Sequence, residues 1–438
     1  MLPLPPRPNL NQYRKLAKDF QAACKSSDPG AIRDWGASWI ERIARLRGHE
    51  ITSEVRRRID FDAEQMENSW RSYVATNERA ARCRLTDAQF FVARGHGFAS
   101  WPKFVKHLEG LQRADSPISK FEAAVDAIVN GDAASLETLL RENPRLARAR
   151  STRDHRSTLL HYISANGVED FRQMTPKNII EITRLLLKAG ADVNAESDAY
   201  GGRSTTLGLT ATSWHPENVG VQLPLMELLI DHGAIIDGPD GGSEVNGCLH
   251  NGRGKAAEFF ANHGARLDLE GAAGVGRLDI VKGFFNDDGS LKPPATQEQM
   301  KDGFAWACEF GRTSVVDFLL QIGMEIDAKL KHNGQTGLHW AAFGGHVDTV
   351  KLLLERGAPI DAKDESFGGT PLGWALYGWG APETAGRADY YDVVASLVRA
   401  GAKHNPQWDE DDEDRRRAGE KMRSDPRMMA ALRGEGAG

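Results

Sequence analysis

Between residues 334 and 363 the apolar positions come in two bursts separated by glycine. Leu338, Trp340, Ala341, Ala342 and Phe343 crowd a first short segment, closed by Gly344-Gly345; Val347, Val350, Leu353 and Leu354 recur three and four apart in a second, closed by Gly357-Ala358. Spacing of three and four marks one face of a helix. Glycine after the last apolar position supplies the left-handed residue that stops it. The stretch therefore predicts a loop, a short helix, a glycine turn, a second helix, a glycine stop and a loop.

Aligned on those two glycines, the pattern returns along the chain. A first helix at 158–167 pairs with a second at 180–187, followed by Ala191-Asp192-Val193-Asn194-Ala195. Segments 205–211 and 225–234 form the next copy. A compressed copy runs from about 246 to 268, marked by Gly252 and Gly264-Ala265, and a weaker one holds 272–276 and 280–285. Segments 305–311 and 315–320 precede the strong copy, and 369–376 with 393–398 and Gly401-Ala402 follow it. Upstream, 121–132 and 136–140 read as a degenerate first copy, as terminal copies are when one face meets solvent. The total is about eight. Insertions at 168–178, 214–222 and 378–388 break the period and belong in loops, often on a binding face.

The stretch from Asn333 to Ala362 resembles one ankyrin repeat almost position for position, with Gly337 where that family usually has proline. The resemblance spans roughly 120–403; it is specific at 334–363 and 158–195 and weak at 246–292. It implies an all-α ankyrin-repeat solenoid of helix-turn-helix repeats with short β-hairpin loops. Each such unit buries its apolar face only against neighbours, so one implies a stack, and a stack implies a binding surface. His161 and His339 stand where the family uses a histidine to bond loop backbone between repeats, so the resemblance makes both structural.

Residues 1–115 lack the repeat and read as helices: Leu10, Tyr13, Leu16, Ala17 and Phe20, then Ile32, Trp35, Trp39, Ile40 and Ile43, then Ile59, Met66, Trp70 and Tyr73, fall at helical spacing. Thr86 is read as the cap of a short helix that Gly95-His96-Gly97 breaks, and Ser100 as the cap of the next. The pair at 86–111 has the outline of a DNA-binding helix-turn-helix, but its second helix offers a groove only Lys103, Lys106 and His107, and a capping role for the array is preferred. The pattern Ala88-Gln89 to Gly97-Phe98-Ala99-Ser100-Trp101 resembles a segment found ahead of ankyrin arrays in bacterial proteins. The expected organisation is 1–115 as an N-terminal helical domain, 120–403 as the array and 404–438 as a charged tail. In that tail the acids at 409–414 begin a solvated helix, and Met428, Met429 and Leu432 dock on the last repeat.

Composition changes this picture little. The chain of 438 residues is 40% hydrophobic and 26% charged, with a net charge of −6. Residues 1–115 carry 20 Lys/Arg against 14 Asp/Glu, the remainder 35 against 47, so the N-terminal part is mildly basic and the array acidic. That balance forces neither a nucleic-acid nor a membrane reading. Cys24, Cys83, Cys248 and Cys308 form no CxxC pair and lack metal-ligand spacing, which fits reduced thiols and a cytoplasmic location. The start, Met1 to Pro8, is proline-rich and extended, without a basic-plus-apolar leader, and no apolar run approaches membrane-spanning length. No GxSxG, HExxH or Walker-type loop occurs; Gly201 to Thr206 lacks the preceding strand and the GK[ST] ending of a phosphate cradle. Neither catalytic residues, metal nor cofactor are expected.

In ankyrin arrays partners meet the hairpin tips and the exposed ends of first helices on the concave side. Carried over by register, the resemblance implies a partner face of His155 with Ser157, Tyr200, Arg203, Trp214, His215, His250 with Asn251, Glu309 with Phe310, Asn333, Gln335, Phe343, Phe367, Tyr377 and Trp379. Trp306, Trp340 and Trp374 share one register position and are assigned to core. The reading is a non-catalytic adaptor or regulator that binds an unidentified protein partner, monomeric, with no membrane. The alternative is a nucleic-acid-linked regulator acting through the basic N-terminal part.

Overall fold

Helix pairs closed by glycine recur through the computed structural model of the chain, which describes residues 1–5, 8–238, 243–330, 334–381, 390–404 and 413–436. The chain divides into two compact units, Met1–Ile235 and Ile236–Gly438.

In the first unit, α1 (Leu10–Cys24), α2 (Ala31–Leu46), α3 (Ser53–Thr76), α4 (Leu85–Gly95) and α5 (Trp101–Leu111) close around one core. Their apolar stripes carry Tyr13, Phe20, Trp39, Ile43, Trp70, Phe98, Phe104 and Leu108 inward. The rings pack edge to face, Tyr13 on Phe104 at 4.8 Å and on Trp39 at 5.4 Å, and Phe20 stacks on Phe91 at 4.7 Å. Each buried ring contributes roughly 1.5–3 kcal/mol to holding the helices together. Thr52 caps α3 by accepting from the Val55 N–H, and Ser100 caps α5 by accepting from that of Lys103. The cap of α4 differs from the expected Thr86: the helix starts two residues earlier, and the Arg84 backbone N–H donates to the Asp87 carboxylate at 2.8 Å. The carboxylate reaches back to the free N–H more readily than a threonine inside the first turn.

The α5 helix runs on to α6 (Pro117–Asn130) and α7 (Ala133–Glu142). Several bonds tie the five-helix core to the repeats, among them the Ser116 hydroxyl donating to the Gly110 carbonyl, the Asp154 N–H to that of Gly97, Arg94 to the Asp154 carboxylate at 2.6 Å, and His107 Nδ1 2.8 Å from the Thr152 hydroxyl. The next pair departs from expectation. Residues Leu159–Ser164 form a 3-10 turn rather than an α-helix, ended by Ala165 at φ +48°. The Ser164 hydroxyl donates to the His161 carbonyl at 2.6 Å, a local bond that competes with helix continuation. Its partner is α8 (Ile179–Lys188). A two-stranded antiparallel hairpin, β1 (Glu196–Ser197) with β2 (Ser204–Thr205), leads to α9 (Thr206–Thr212), α10 (Trp214–Asn218) and α11 (Gln222–Asp231). The insertion at 214–222 is therefore partly helical.

The second unit holds α12 (Glu244–His250) with α13 (Gly254–Asn262), α14 (Leu269–Gly274) with α15 (Leu278–Gly283), α16 (Gln297–Glu309) with α17 (Thr313–Gln321), α18 (Gly337–Gly344) with α19 (Val347–Glu355), and α20 (Pro371–Gly380) with α21 (Tyr390–Arg399). First helices stack on first helices, and a small residue at the contact lets them approach. A Cβ on Gly378 would sit 2.6 Å from the Phe343 carbonyl oxygen, and one on Gly344 would collide with that of Glu309. Leu338, Ala341, Ala342, Val350 and Leu353 of the strong copy are all fully buried between its neighbours. The tail helices α22 (Glu413–Ser424) and α23 (Pro426–Ala431) add Met422, Met428 and Ala431 to the same core, and the Tyr391 hydroxyl donates to Asp425 at 2.8 Å. The acidic run at 409–412 lies outside the described residues.

Candidate partner-binding face

In two repeats the first helix is set by a threonine and a histidine three residues on. In α18 the Thr336 N–H donates to His339 Nδ1 at 3.0 Å, which leaves Nε2 as the donor to the Gly369 carbonyl of the next loop at 3.2 Å. Thr158, His161 and the Ser204 carbonyl repeat the arrangement in the first unit, at 3.1 and 3.2 Å. Burial pushes His161 down to about 4 and lowers His339 also, so both rings are neutral and structural.

With the helices so oriented, one register position carries Trp306, Trp340 and Trp374. The rings form a ladder along the second unit, 6.0 Å from Trp306 to Trp340 and 5.7 Å from Trp340 to Trp374. Only Trp306 belongs wholly to the core, at 4% exposed; Trp340 and Trp374 are half-buried. His250 extends the ladder at one end, 5.0 Å from Trp306, and its Nε2 lies 2.8 Å from the Glu270 carboxylate that also accepts from the Trp306 indole. Phe343 lies 5.7 Å from Trp374 and stacks on Tyr377 at 6.1 Å. The outcome is a strip of aromatic surface whose inner edge is anchored and whose outer edge, Phe343 and Tyr377, meets solvent.

The candidate residues separate by exposure. Tyr377 at 56% and Phe367 at 69% are open, Phe343 is half-buried, and Trp379 is half-buried beneath the Lys421 ammonium, 4.9 Å from the ring centroid. His250 is exposed. Gln335 and Glu309, expected on the face, are 1% and 6% exposed: the hairpin and the helix end turn both side chains inward. Asn333 lies outside the described residues. In the first unit Tyr200 is 77% exposed and its hydroxyl donates to Asn166 at 2.6 Å, Arg203 is exposed, 3.5 Å from Glu196, and Trp214 and His215 are half-buried, ring to ring at 5.4 Å.

His155 is not on a surface at all. It is 5% exposed, within a buried ionic cluster that sequence reasoning missed. Arg153 bridges Glu122 and Glu169 at 2.7 and 2.9 Å, Arg172 meets Glu122 at 2.7 Å and Glu169 at 3.3 Å, and His155 Nε2 lies 3.8 Å from Glu169. Burial alone would raise both glutamates, but the Arg153 and Arg172 guanidiniums hold them well below the usual carboxylate range. The insertion at 168–178 thus delivers Glu169 and Arg172 to the interior through a short 3-10 turn, Asp170–Arg172, instead of lengthening a surface loop. Two signals stood in the sequence: Glu122 amid the apolar run Phe121 to Val125, and Glu169 with Arg172 flanking Phe171.

The DNA-groove outline at 86–111 finds no free recognition helix, since α5 spends Phe104, His107 and Leu108 on the core. Among the described residues no group of three or more His, Cys, Asp or Glu side chains could hold a metal ion, and no helix is long and apolar enough to cross a membrane.

The ankyrin-repeat family profile matches residues 304–407, as three copies. No curated protein matches the chain. Among solved structures, the chain is similar to the human ASB11 ankyrin repeat domain, at 20% identity, with 64% of this chain and 99% of that one covered and a TM-score of 0.31. The fold is therefore all-α with ankyrin repeats, helix-turn-helix units joined by short hairpin loops, and it includes an N-terminal group of helices.

Proposed function

We propose that the chain is a non-catalytic recognition module, an adaptor or regulator of bacterial type acting in the cytoplasm, that binds a protein partner through the aromatic strip of its second unit. Ankyrin repeats are generally protein–protein interaction modules, and that supports the class of function. The observation that carries the choice of surface is the outer edge of the tryptophan ladder, where Phe343 stacks on the exposed Tyr377; Phe367, in the loop before α20, is exposed as well. Aromatic side chains held rigid by their own neighbours lose little entropy on binding and make good anchors when a partner covers them. In this reading residues 1–115 cap the array, 120–403 form it and 404–438 cover its far end, and His155, Glu309 and Gln335 support the fold rather than touch the partner.

The test is site-specific photo-crosslinking in extract of the native host, with a photoreactive residue at position 377 or, as control, at Lys351 on the exposed side of α19. A protein crosslinked from 377 and not from 351 supports the strip. Crosslinking from 351 alone moves the partner to the second helices.

A further inference from the structure

In the second unit several aromatic rings already carry a cation of their own chain. The Lys421 ammonium lies 4.9 Å from the Trp379 ring centroid, the Lys282 ammonium 5.6 Å from that of Phe318, and the Arg427 guanidinium 4.1 Å from that of Tyr391. The aromatic strip is built differently. Among the described residues no cation lies over Trp340, Trp374, Phe343 or Tyr377, although Tyr377 is 56% exposed and stands two residues before Trp379 on α20. Its rings are also backed by anions. Trp374 gives its indole N–H to the Asp364 carboxylate at 3.0 Å, and three backbone N–H groups, of Ser366, Phe367 and Gly369, hold that carboxylate in place. At the other end Trp306 donates to Glu270 at 2.9 Å. An aromatic face is already negative, and an N–H bonded to an anion passes electron density into its ring. Asp364 and Glu270 are 4% and 7% exposed, so water screens them little. The unit itself is acidic: residues 236–438 carry 23 Lys/Arg against 32 Asp/Glu, a net of −9, whereas 1–235 carry 32 against 29.

We propose that the strip recognises an arginine side chain, so that the partner is a protein whose contacting segment is basic. The inference rests on the reading of this strip as the partner face. A guanidinium is planar, always charged and weakly hydrated, and it lies flat on an aromatic ring where an ammonium keeps more of its water. Tyr377 supplies the open ring, parallel to Phe343 within 20°, and Trp374, 5.7 Å from Phe343, supplies the ring tied to a carboxylate. The chain's own Arg427 on Tyr391 shows the same pairing made internally. Charge selects among the other occupants. An acidic segment is repelled by the net −9 of the unit and by the ring faces, and a wholly apolar one covers the rings but leaves the negative field unanswered. A basic segment answers both.

The experiment titrates the purified full chain, by calorimetry at low salt, with a peptide of alternating glycine and arginine and with its glutamate counterpart. Wild type and Tyr377→Phe, which keeps the ring, should bind the arginine peptide alike, and the glutamate peptide should give no binding. Tyr377→Leu keeps the net charge of the chain but removes the ring face, and should bind the arginine peptide about two- to fivefold more weakly. Bulk attraction to an acidic surface is the same in all three proteins, so it cannot produce that difference. Position 377 is exposed, which lets leucine replace tyrosine without disturbing the core, and circular dichroism checks the fold. No binding of the arginine peptide to wild type, equal binding to Tyr377→Leu, or equal binding of the glutamate peptide would each overturn the proposal. A protein still crosslinked from position 377 would then leave the strip as the partner face and remove only its preference for arginine.

Discussion

Trp340 and Trp374 occupy the same place in successive repeats, their ring centroids 5.7 Å apart and their planes tilted by 57°. Their indole N–H groups are treated differently. That of Trp374 donates to the Asp364 carboxylate at 3.0 Å, and that of Trp306, two repeats earlier, to Glu270 at 2.9 Å, whereas the Trp340 N–H between them is buried without a partner. The ladder is thus tied to the scaffold at its two ends and held in the middle by packing.

The contrast is measurable. Trp306→Phe removes a donor from a buried carboxylate and is expected to cost about 1.5–3 kcal/mol, whereas Trp340→Phe, which loses no hydrogen bond, should cost under about 1 kcal/mol. Urea unfolding of the two variants beside wild type checks the order.

The close approach of first helices makes a second prediction. Gly344→Ala drives a methyl group into the Glu309 carbonyl and should destabilise the second unit by about 1–3 kcal/mol, because backbone cannot rotate away as a side chain can. Differential scanning calorimetry should show the loss as a lowered melting temperature.

Removing Arg153 leaves Glu122 and Glu169 buried with one guanidinium between them. Arg153→Ala is expected to destabilise the first unit by about 3–5 kcal/mol, the usual consequence of breaking a buried pair from one side. Chemical denaturation followed by tryptophan fluorescence reads it.

Acid should act on the first unit in two stages. Burial holds His107 and His161 at about 4 in the folded chain, below the ordinary 6.5. Between those values the unfolded chain binds protons that the folded chain refuses, so stability falls as pH drops from about 6.5 to 4. Below the ordinary carboxylate range Glu122 and Glu169, lowered in the fold, add a further loss in the same direction. A melting temperature that decreases steadily from pH 7 to pH 4 agrees with this; one that rises would contradict it.

The repeats were legible because their signals are local. Glycine stops and apolar bursts such as Leu338 to Phe343 are set within one helix pair and return from copy to copy, and the threonine–histidine cap returns in two of them. Exposure was less legible, because it depends on what the next element covers. Trp340 and Trp374 share a register with Trp306 yet keep an open edge, and Gln335 lies in a hairpin whose backbone turns it inward. The ionic cluster was out of reach of periodicity altogether. Glu122, Arg153 and the pair Glu169 and Arg172 come from three separate segments, and only the folded chain shows that each buried charge has an opposite beside it. The Thr86 cap failed for a smaller reason: Asp87, third in a helix that begins at Leu85, accepts the Arg84 N–H and leaves the threonine inside the first turn.

The most direct test of the aromatic strip is an affinity measurement on the partner identified by crosslinking. Its binding would be titrated calorimetrically against wild type and against a Phe343→Ala, Tyr377→Ala double variant whose melting curve and circular dichroism match wild type. The account predicts a loss of at least about tenfold, the equivalent of about 1.4 kcal/mol. An unchanged dissociation constant would contradict it and place the partner elsewhere on the chain.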